Sequence, residues 1–236
     1  MSPQKTFNSI ISLYDRESSY ATELRRIYSN LKSRGNGENQ SVLITSAMTG
    51  EGKSITSSYL AITAANLTSQ KVVLVDFDLR RPRIHEYFNV GSRPGVVDVI
   101  TSKSKIKSVA RDTSISNLKI ISSGISSQGA GELIDQADLA TMLEELKFYF
   151  DFVVIDSPPI IPVSDPLLIA DKVDGVLMVV RAGSTQREVV KRAVNLVNNA
   201  SINLYGVIMN DYEEVLPYYY NTGYYGYKYS SAKSDK

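Results

Sequence analysis

Six short apolar runs recur along the chain: Ser41–Thr45, Lys71–Val75, Leu118–Ile121, Phe152–Ile155, Gly175–Arg181 and Leu204–Met209. Most are near-continuous apolar runs rather than alternating ones (Lys119 interrupts the third), the pattern of strands covered on both faces. The stretches between them carry helical spacing. Strands and helices in alternation predict a doubly wound, mostly parallel α/β domain over about residues 37–211. With 236 residues, 43% of them hydrophobic, one large domain around one core is the natural arrangement.

The spacing predicts a helix over residues 19–33, with Tyr20, Leu24, Ile27, Tyr28 and Leu31 on one face. That face is read as packing on its own domain in preference to an oligomer contact. Residues 1–18 are polar and read as an arm, so residues 1–36 form an N-terminal arm and helix. Further helices are expected over 95–111 (ending in a basic turn, with Val96, Val99 and Ile100 inward), 132–149, 164–172 and 185–199. Residues 122–131 are a Gly/Ser-rich loop.

The first apolar run leads into Gly50-Glu51-Gly52-Lys53-Ser54 and then a helix, with Ile55, Tyr59, Ile62 and Ala65 expected on its inner face. Strand, Gly-rich turn and helix form the setting of a phosphate-binding loop. Glycines let backbone N–H groups turn inward on phosphate oxygens, and the helix N-terminus adds partial positive charge. Lys53 would reach the outer phosphates and Ser54 would hold Mg²⁺. Lys53 is expected to face solvent when no nucleotide is bound. The full motif has Gly where this chain has Ala47, and an ordinary tight strand–helix turn would use the same glycines.

Two further strands end in carboxylates. Lys71–Val75 runs into Asp76-Phe77-Asp78-Leu79-Arg80, and an i, i+2 pair on extended chain points to one side. Phe152–Ile155 ends in Asp156-Ser157-Pro158-Pro159, whose carboxylate would hold Mg²⁺ directly or through water. All of these residues lie at the C-terminal edge of the sheet, where doubly wound folds bind ligands.

Net charge is +1, which leaves no excess of Lys and Arg for nucleic acid. There is no cysteine, hence no disulfide or thiol chemistry, and the single His85 cannot join other histidines around a metal. No stretch approaches the about 20 apolar residues of a membrane span, and the N-terminus lacks a signal-peptide pattern. The expectation is a soluble, cytoplasmic protein that another molecule holds if it acts at a membrane. The last segment, 212–236, holds eight of the fifteen tyrosines and no aliphatic periodicity. It reads as a disordered tail of hydroxyl acceptors for phosphate, with an aromatic segment that stacks on partners as the other possibility.

Taken together the motifs resemble the bacterial tyrosine kinases of capsule and exopolysaccharide loci. The resemblance rests on the Walker A stretch Thr45–Ser54, the Walker A′ stretch Val73–Arg80, the Walker B stretch Val153–Pro159 and the tyrosine-rich tail. It implies a P-loop autokinase that transfers the ATP γ-phosphate to tail tyrosines in trans and so regulates polysaccharide polymerisation and export. It implies nucleotide contacts from Thr49, Gly50, Glu51, Gly52, Lys53, Ser54 and Ile55, with Asn210, after the last strand, near the base. Lys53, Asp76 and Asp78 would be catalytic, Asp76 activating the incoming hydroxyl. Ser54, Asp78 and Asp156 would form the Mg²⁺ shell. Tyr218, Tyr219, Tyr220, Tyr224, Tyr225, Tyr227 and Tyr229 would be the acceptors. The implied partners are a membrane polysaccharide co-polymerase whose cytoplasmic tail activates the kinase and brings it to the inner face of the membrane, further copies of the chain in a ring, and a cognate tyrosine phosphatase.

The chain departs from the family pattern at Thr49, usually Pro, and at 124–131, which lacks Asn-Pro. In the helix motif Glu23-Leu-Arg-Arg26-Ile-Tyr-Ser29, Ser29 stands where a second Arg is usual. A partition or septum-site type of ATPase switch is the competing function. It would carry a signature Lys at the position of Met48 and usually lacks a tyrosine cluster. A non-enzymatic scaffold would leave the phosphate and metal ligands without a purpose.

Overall fold

The computed structural model describes residues 9–34, 39–126 and 129–211. The tail reading and its acceptor tyrosines lie outside the described residues, as do positions 127–128 of the Gly/Ser loop.

The described strands are β1 (Gln40–Ser46), β2 (Val72–Asp76), β3 (Arg111–Asp112), β4 (Leu118–Ile121), β5 (Phe152–Asp156), β6 (Gly175–Arg181) and β7 (Leu204–Asn210). They form one sheet in the order β3-β4-β2-β5-β1-β6-β7. The six expected strands stand on the six apolar runs and pair in parallel. The seventh, β3, is an antiparallel edge of two polar residues, which has no apolar signal to announce it.

Every residue of β1, β2 and β5 is buried. Successive side chains point to opposite faces, so each strand feeds two cores. Leu43, Val73, Val75, Val153 and Ile155 meet Leu143, Leu146, Ile169 and Ala193 on one face. Val42, Ile44, Val72, Leu74 and Val154 meet Leu24, Leu60 and Ala64 on the other. This is the doubly wound arrangement the apolar runs predict.

The helices are α1 (Ile10–Leu13), α2 (Ser19–Arg34), α3 (Lys53–Leu67), α4 (Ile84–Tyr87), α5 (Val96–Ile100), α6 (Ile106–Val109), α7 (Ala130–Gln136), α8 (Leu139–Tyr149), α9 (Asp165–Ala170) and α10 (Arg187–Asn199). Helix α2 buries Ala21 and packs Leu24, Tyr28 and Leu31 in the core that also holds α3, so its apolar face does pack on its own domain. The described part of the N-terminal arm is packed as well. Ile10 is buried, the Tyr14 hydroxyl lies 2.6 Å from that of Thr63, and Tyr14 and Tyr20 both stack against Tyr59.

Helix α3 corrects part of its expected inner face, of which Ile62 and Ala65 are buried as expected. Ile55 is 42% exposed, whereas Thr56, Ser57, Leu60, Ala61 and Ala64 are buried. The helix lies between the sheet and α2, so small residues fill nearly its whole circumference and a single stripe does not form. The helix expected over 95–111 is instead α5, a turn with Ser102 at φ 57°, α6 and β3. The helix expected over 132–149 is broken at Ala137, and Asp138 starts α8 by accepting from Thr141 N–H at 3.0 Å. A side-chain oxygen that satisfies a first-turn N–H begins a new helix wherever it occurs, and the apolar spacing runs across the break without registering it.

Candidate active site

Strands β1, β2 and β5 end side by side, and the register sets Ile44 and Asp76 each opposite Asp156. The turn from β1 to α3 crosses this edge. Gly50 and Gly52 hold φ of 83° and 88°, a left-handed geometry that a side chain disfavours. At Gly52 there is a second reason: a Cβ would come 2.1 Å from Nδ2 of Asn210. That amide donates to the Glu51 carbonyl at 3.0 Å. Asn210 is therefore the last residue of β7, not a residue beyond it, and it braces the loop. Inside the loop, Ser46 Oγ donates to the Met48 carbonyl at 2.7 Å and Met48 N–H donates to Glu51 Oε2 at 2.7 Å. Thr49, Gly50 and Ile55 are exposed. The first N–H groups of α3 have no partner within the helix, which makes its start an anion site.

Lys53 does not face solvent. Its side chain is 12% exposed and its Nζ donates to Asp78 Oδ2 at 2.8 Å, with Asp156 Oδ2 at 3.8 Å and Ser54 Oγ at 3.1 Å. The ammonium pairs with the carboxylates nearest it. Burial works against its charge, but Asp156 and Asp78 outweigh burial and hold its pKa above the ordinary lysine value. Burial raises the pKa of Asp156, with Lys53 and the nearby Ser54 and Ser57 hydroxyls opposing. The Ser57 hydroxyl lies 2.9 Å from Asp156 Oδ1, while Oδ2 is buried without a hydrogen-bond partner.

Asp76 and Asp78 both lie near Lys53 but take different hydrogen-bond partners. The strand ends at Asp76, and the chain then winds around that residue's carboxylate. Oδ1 accepts from Asp78 N–H at 3.2 Å, and Oδ2 accepts from the N–H groups of Arg83 at 3.1 Å and Ile84 at 3.0 Å. Asp78 instead engages Lys53 through Oδ2 and Arg81 N–H through Oδ1. Burial, then the Asp156 charge, push the Asp76 pKa well above the usual carboxylate range, and the Ile84 N–H only partly offsets this. The next motif residue, Arg80, makes a two-pronged ion pair with the buried Asp165 at the start of α9, through Nε at 2.8 Å and Nη2 at 3.1 Å. It ties the loop after β2 to the segment after β5.

Sequence reasoning missed Ser57, Asp165 and Thr185. Ser57 lies one helical turn beyond Lys53, so its face was legible. Asp165-Pro166 is a helix-start signal that carries no chemistry by itself. Thr185, whose hydroxyl bonds Glu51 Oε1, sits 134 positions away in the loop between β6 and α10, and no local signal links the two.

A strand–loop–helix phosphate cradle at the C-terminal edge of a parallel sheet, with carboxylates on the two neighbouring strand ends, defines a nucleotide-binding P-loop NTPase. The ParA family model, described as NUBPL iron-transfer P-loop NTPase, matches residues 38–222. Among curated proteins, the putative tyrosine-protein kinase CapB of Staphylococcus aureus is 31% identical over 96% of this chain and 98% of its own length. The tyrosine-protein kinase YwqD of Bacillus subtilis is 30% identical over 93% of this chain and 92% of its own. Among solved structures, the chimerical protein CapA2B2 superposes with a TM-score of 0.79 at 29% identity, over 87% of this chain and 90% of that one. The kinase domain of Escherichia coli tyrosine kinase ETK superposes with a TM-score of 0.80 at 25% identity, over 89% and 84%. The chain belongs to the bacterial tyrosine-kinase family, built on the ParA-type P-loop fold. The iron transfer in the family description has no thiolate to use in these 236 residues.

Proposed function

We propose that this chain transfers the γ-phosphate of ATP to tyrosine hydroxyls in the C-terminal segments of neighbouring copies. The observation that carries the reading is Lys53, held in a buried cluster between Asp78 and Asp156 at the mouth of the phosphate cradle. One ammonium beside three carboxylates leaves negative charge in excess. The unpartnered Asp156 Oδ2 and the neighbouring Ser54 hydroxyl offer the hard oxygen ligands that Mg²⁺ selects. Among the described residues no group of three or more His, Cys, Asp or Glu closes a metal cage, which suits an ion completed by phosphate oxygens and water. Ser54, Asp78 and Asp156 would hold Mg²⁺, which when bound neutralises charge on the transferring phosphoryl group.

Lys53 would then leave Asp78 for the outer phosphates, while the loop N–H groups, Thr49 to Ile55, receive the remainder. Asp76 would take the proton of the attacking tyrosine hydroxyl. The three N–H donors that hold its carboxylate keep its orientation. Asn210, at the cradle's far side, would lie near the base. Residues 37–211 would be the catalytic domain, with 212–236 the acceptor segment carrying Tyr218, Tyr219, Tyr220, Tyr224, Tyr225, Tyr227 and Tyr229.

No helix among the described residues is long and apolar enough to cross a membrane. Recruitment to the inner face of the membrane would come from a polysaccharide co-polymerase whose cytoplasmic tail activates the kinase. Self-association, reversed as phosphates accumulate on the tail, and a cognate phosphatase would complete a cycle that controls capsule or exopolysaccharide export. Met48, at the position of the switch ATPases' signature lysine, speaks against the purely ATPase reading.

The direct test is incubation of purified protein with Mg²⁺ and ATP, followed by mass spectrometry for phosphotyrosine. Tail tyrosines should be modified in the wild type and unmodified in Lys53→Met. An unmodified wild type, with and without a co-polymerase tail, would contradict the reading.

A further inference from the structure

We propose that Thr185 is a positioning residue for nucleotide binding, acting through Glu51 to keep a carboxylate turned away from the phosphate cradle. The inference rests on nucleotide binding at the loop described above.

Glu51 is an acidic residue inside a loop that must receive a polyanion. It is 3% exposed. Its two carboxylate oxygens are held by neutral donors: Oε2 by Met48 N–H at 2.7 Å and Oε1 by the Thr185 hydroxyl. The first bond lies within the loop and moves with it. The second comes from outside the loop, so it fixes where the carboxylate sits relative to the rest of the domain.

Thr185 is itself well held. Its N–H donates to the Arg181 carbonyl at 3.0 Å, and its Oγ1 accepts from Arg181 N–H at 3.3 Å. The hydroxyl thus accepts from one side and donates to Glu51 on the other, with its single proton committed to the carboxylate. Arg181 is anchored in turn by Asp211, directly after β7 (Nη2 to Oδ2, 2.6 Å). The donor therefore rests on strand ends and not on a free loop.

A buried carboxylate that loses one of two donors regains hydration by turning toward water. Glu51 and Thr185 already border a cavity of about 470 Å³ beside the loop, shared with Met48, Thr49, Gly50 and Ser184, and this is the opening into which a released carboxylate would swing. Turned that way, Glu51 brings a negative charge to the rim of the cradle and repels phosphate. The effect is one of charge, and it falls on binding rather than on chemistry.

The test titrates a fluorescent ADP analogue at fixed Mg²⁺ into wild type, Thr185→Val, Thr185→Ala, Thr185→Ser and the double variant Thr185→Val with Glu51→Gln. Removing the hydroxyl should weaken binding about tenfold in both the Val and Ala variants. Thr185→Ser should restore wild-type affinity, and the double variant should recover most of it because the displaced charge is gone. Raising the salt concentration should narrow the gap between Thr185→Val and wild type. In kinase assays Thr185→Val should raise KM for ATP and leave kcat unchanged. Wild-type affinity in both Val and Ala variants would overturn the inference. So would a double variant as weak as Thr185→Val, which would make the role one of packing. A wild type that binds no nucleotide would overturn the nucleotide reading and this inference with it.

Discussion

Lys53 is the residue whose behaviour the sequence misjudges most and whose identity it marks best. The Gly-x-Gly-Lys-Ser pattern names it, but a local pattern cannot say which distant carboxylates its ammonium meets. The answer is set by Asp78 and Asp156, which lie 25 and 103 positions away and meet it only through the register of β2 and β5. The same cluster gives Asp76 an unfavourable setting for charge, buried and opposite Asp156. Active sites commonly hold groups that cost stability. Asp76→Asn removes the charge but replaces one of the two accepting oxygens with an NH2 donor, so relief of charge and loss of a backbone acceptor oppose each other and the unfolding temperature should change little. Turnover should fall about 100-fold or more, as when a general base is lost. Thermal unfolding and phosphotyrosine formation, measured on one preparation, check this. A marked fall in unfolding temperature would make Asp76 a structural residue.

Elements whose cause lies in their own residues were legible, and those caused by distant contacts were not. Gly175–Arg181 reads as a strand because it is apolar throughout, and the structure reproduces those bounds. Arg111–Asp112 is a strand only because β4 offers an edge, and α7 and α8 separate because Asp138 caps the second. A similar long-range contact joins elements at the N-terminal edge of the sheet. Asp174, just before β6, accepts from Ser41 N–H at 2.7 Å, from Ser41 Oγ at 2.8 Å and from Lys147 Nζ at 2.9 Å, linking β1, β6 and α8. Partial burial alone would raise its pKa, but Lys147 and the Ser41 donors prevail and lower it. A carboxylate depressed in the folded state stabilises above its unfolded pKa of about 4, and that contribution fades as pH falls through the lower folded value. The carboxylate is 36% exposed, so solvent screening limits the effect: Asp174→Asn should cost about 1 kcal/mol or less at pH 7 and progressively less toward pH 3. Urea unfolding at a series of pH values measures it, and a pH-independent difference would show that the charge is not what matters.

At the scale of the whole molecule, the doubly wound sheet brings the ends of β1, β2, β5 and β7 to one edge, and everything assigned to phosphate lies there. The chain leaves the described domain at that same edge, through Asn210 and Asp211, one bound to Glu51 and the other to Arg181. Tail tyrosines follow that exit in sequence, and in the proposed reading they are modified at a neighbour's cradle. Each phosphate adds about −1.5 to −2 charges at pH 7, and an acidic site would expel a tail so modified. The measurement that bears most directly on this account mixes two variants in Mg²⁺ and ATP. Lys53→Met supplies an intact tail without a working site. The variant with its eight tail tyrosines changed to Phe supplies a working site without acceptors. Phosphotyrosine should appear on the Lys53→Met chains only when both variants are present. If wild type phosphorylates its tail and the mixture leaves the Lys53→Met chains unmodified, transfer between copies is contradicted.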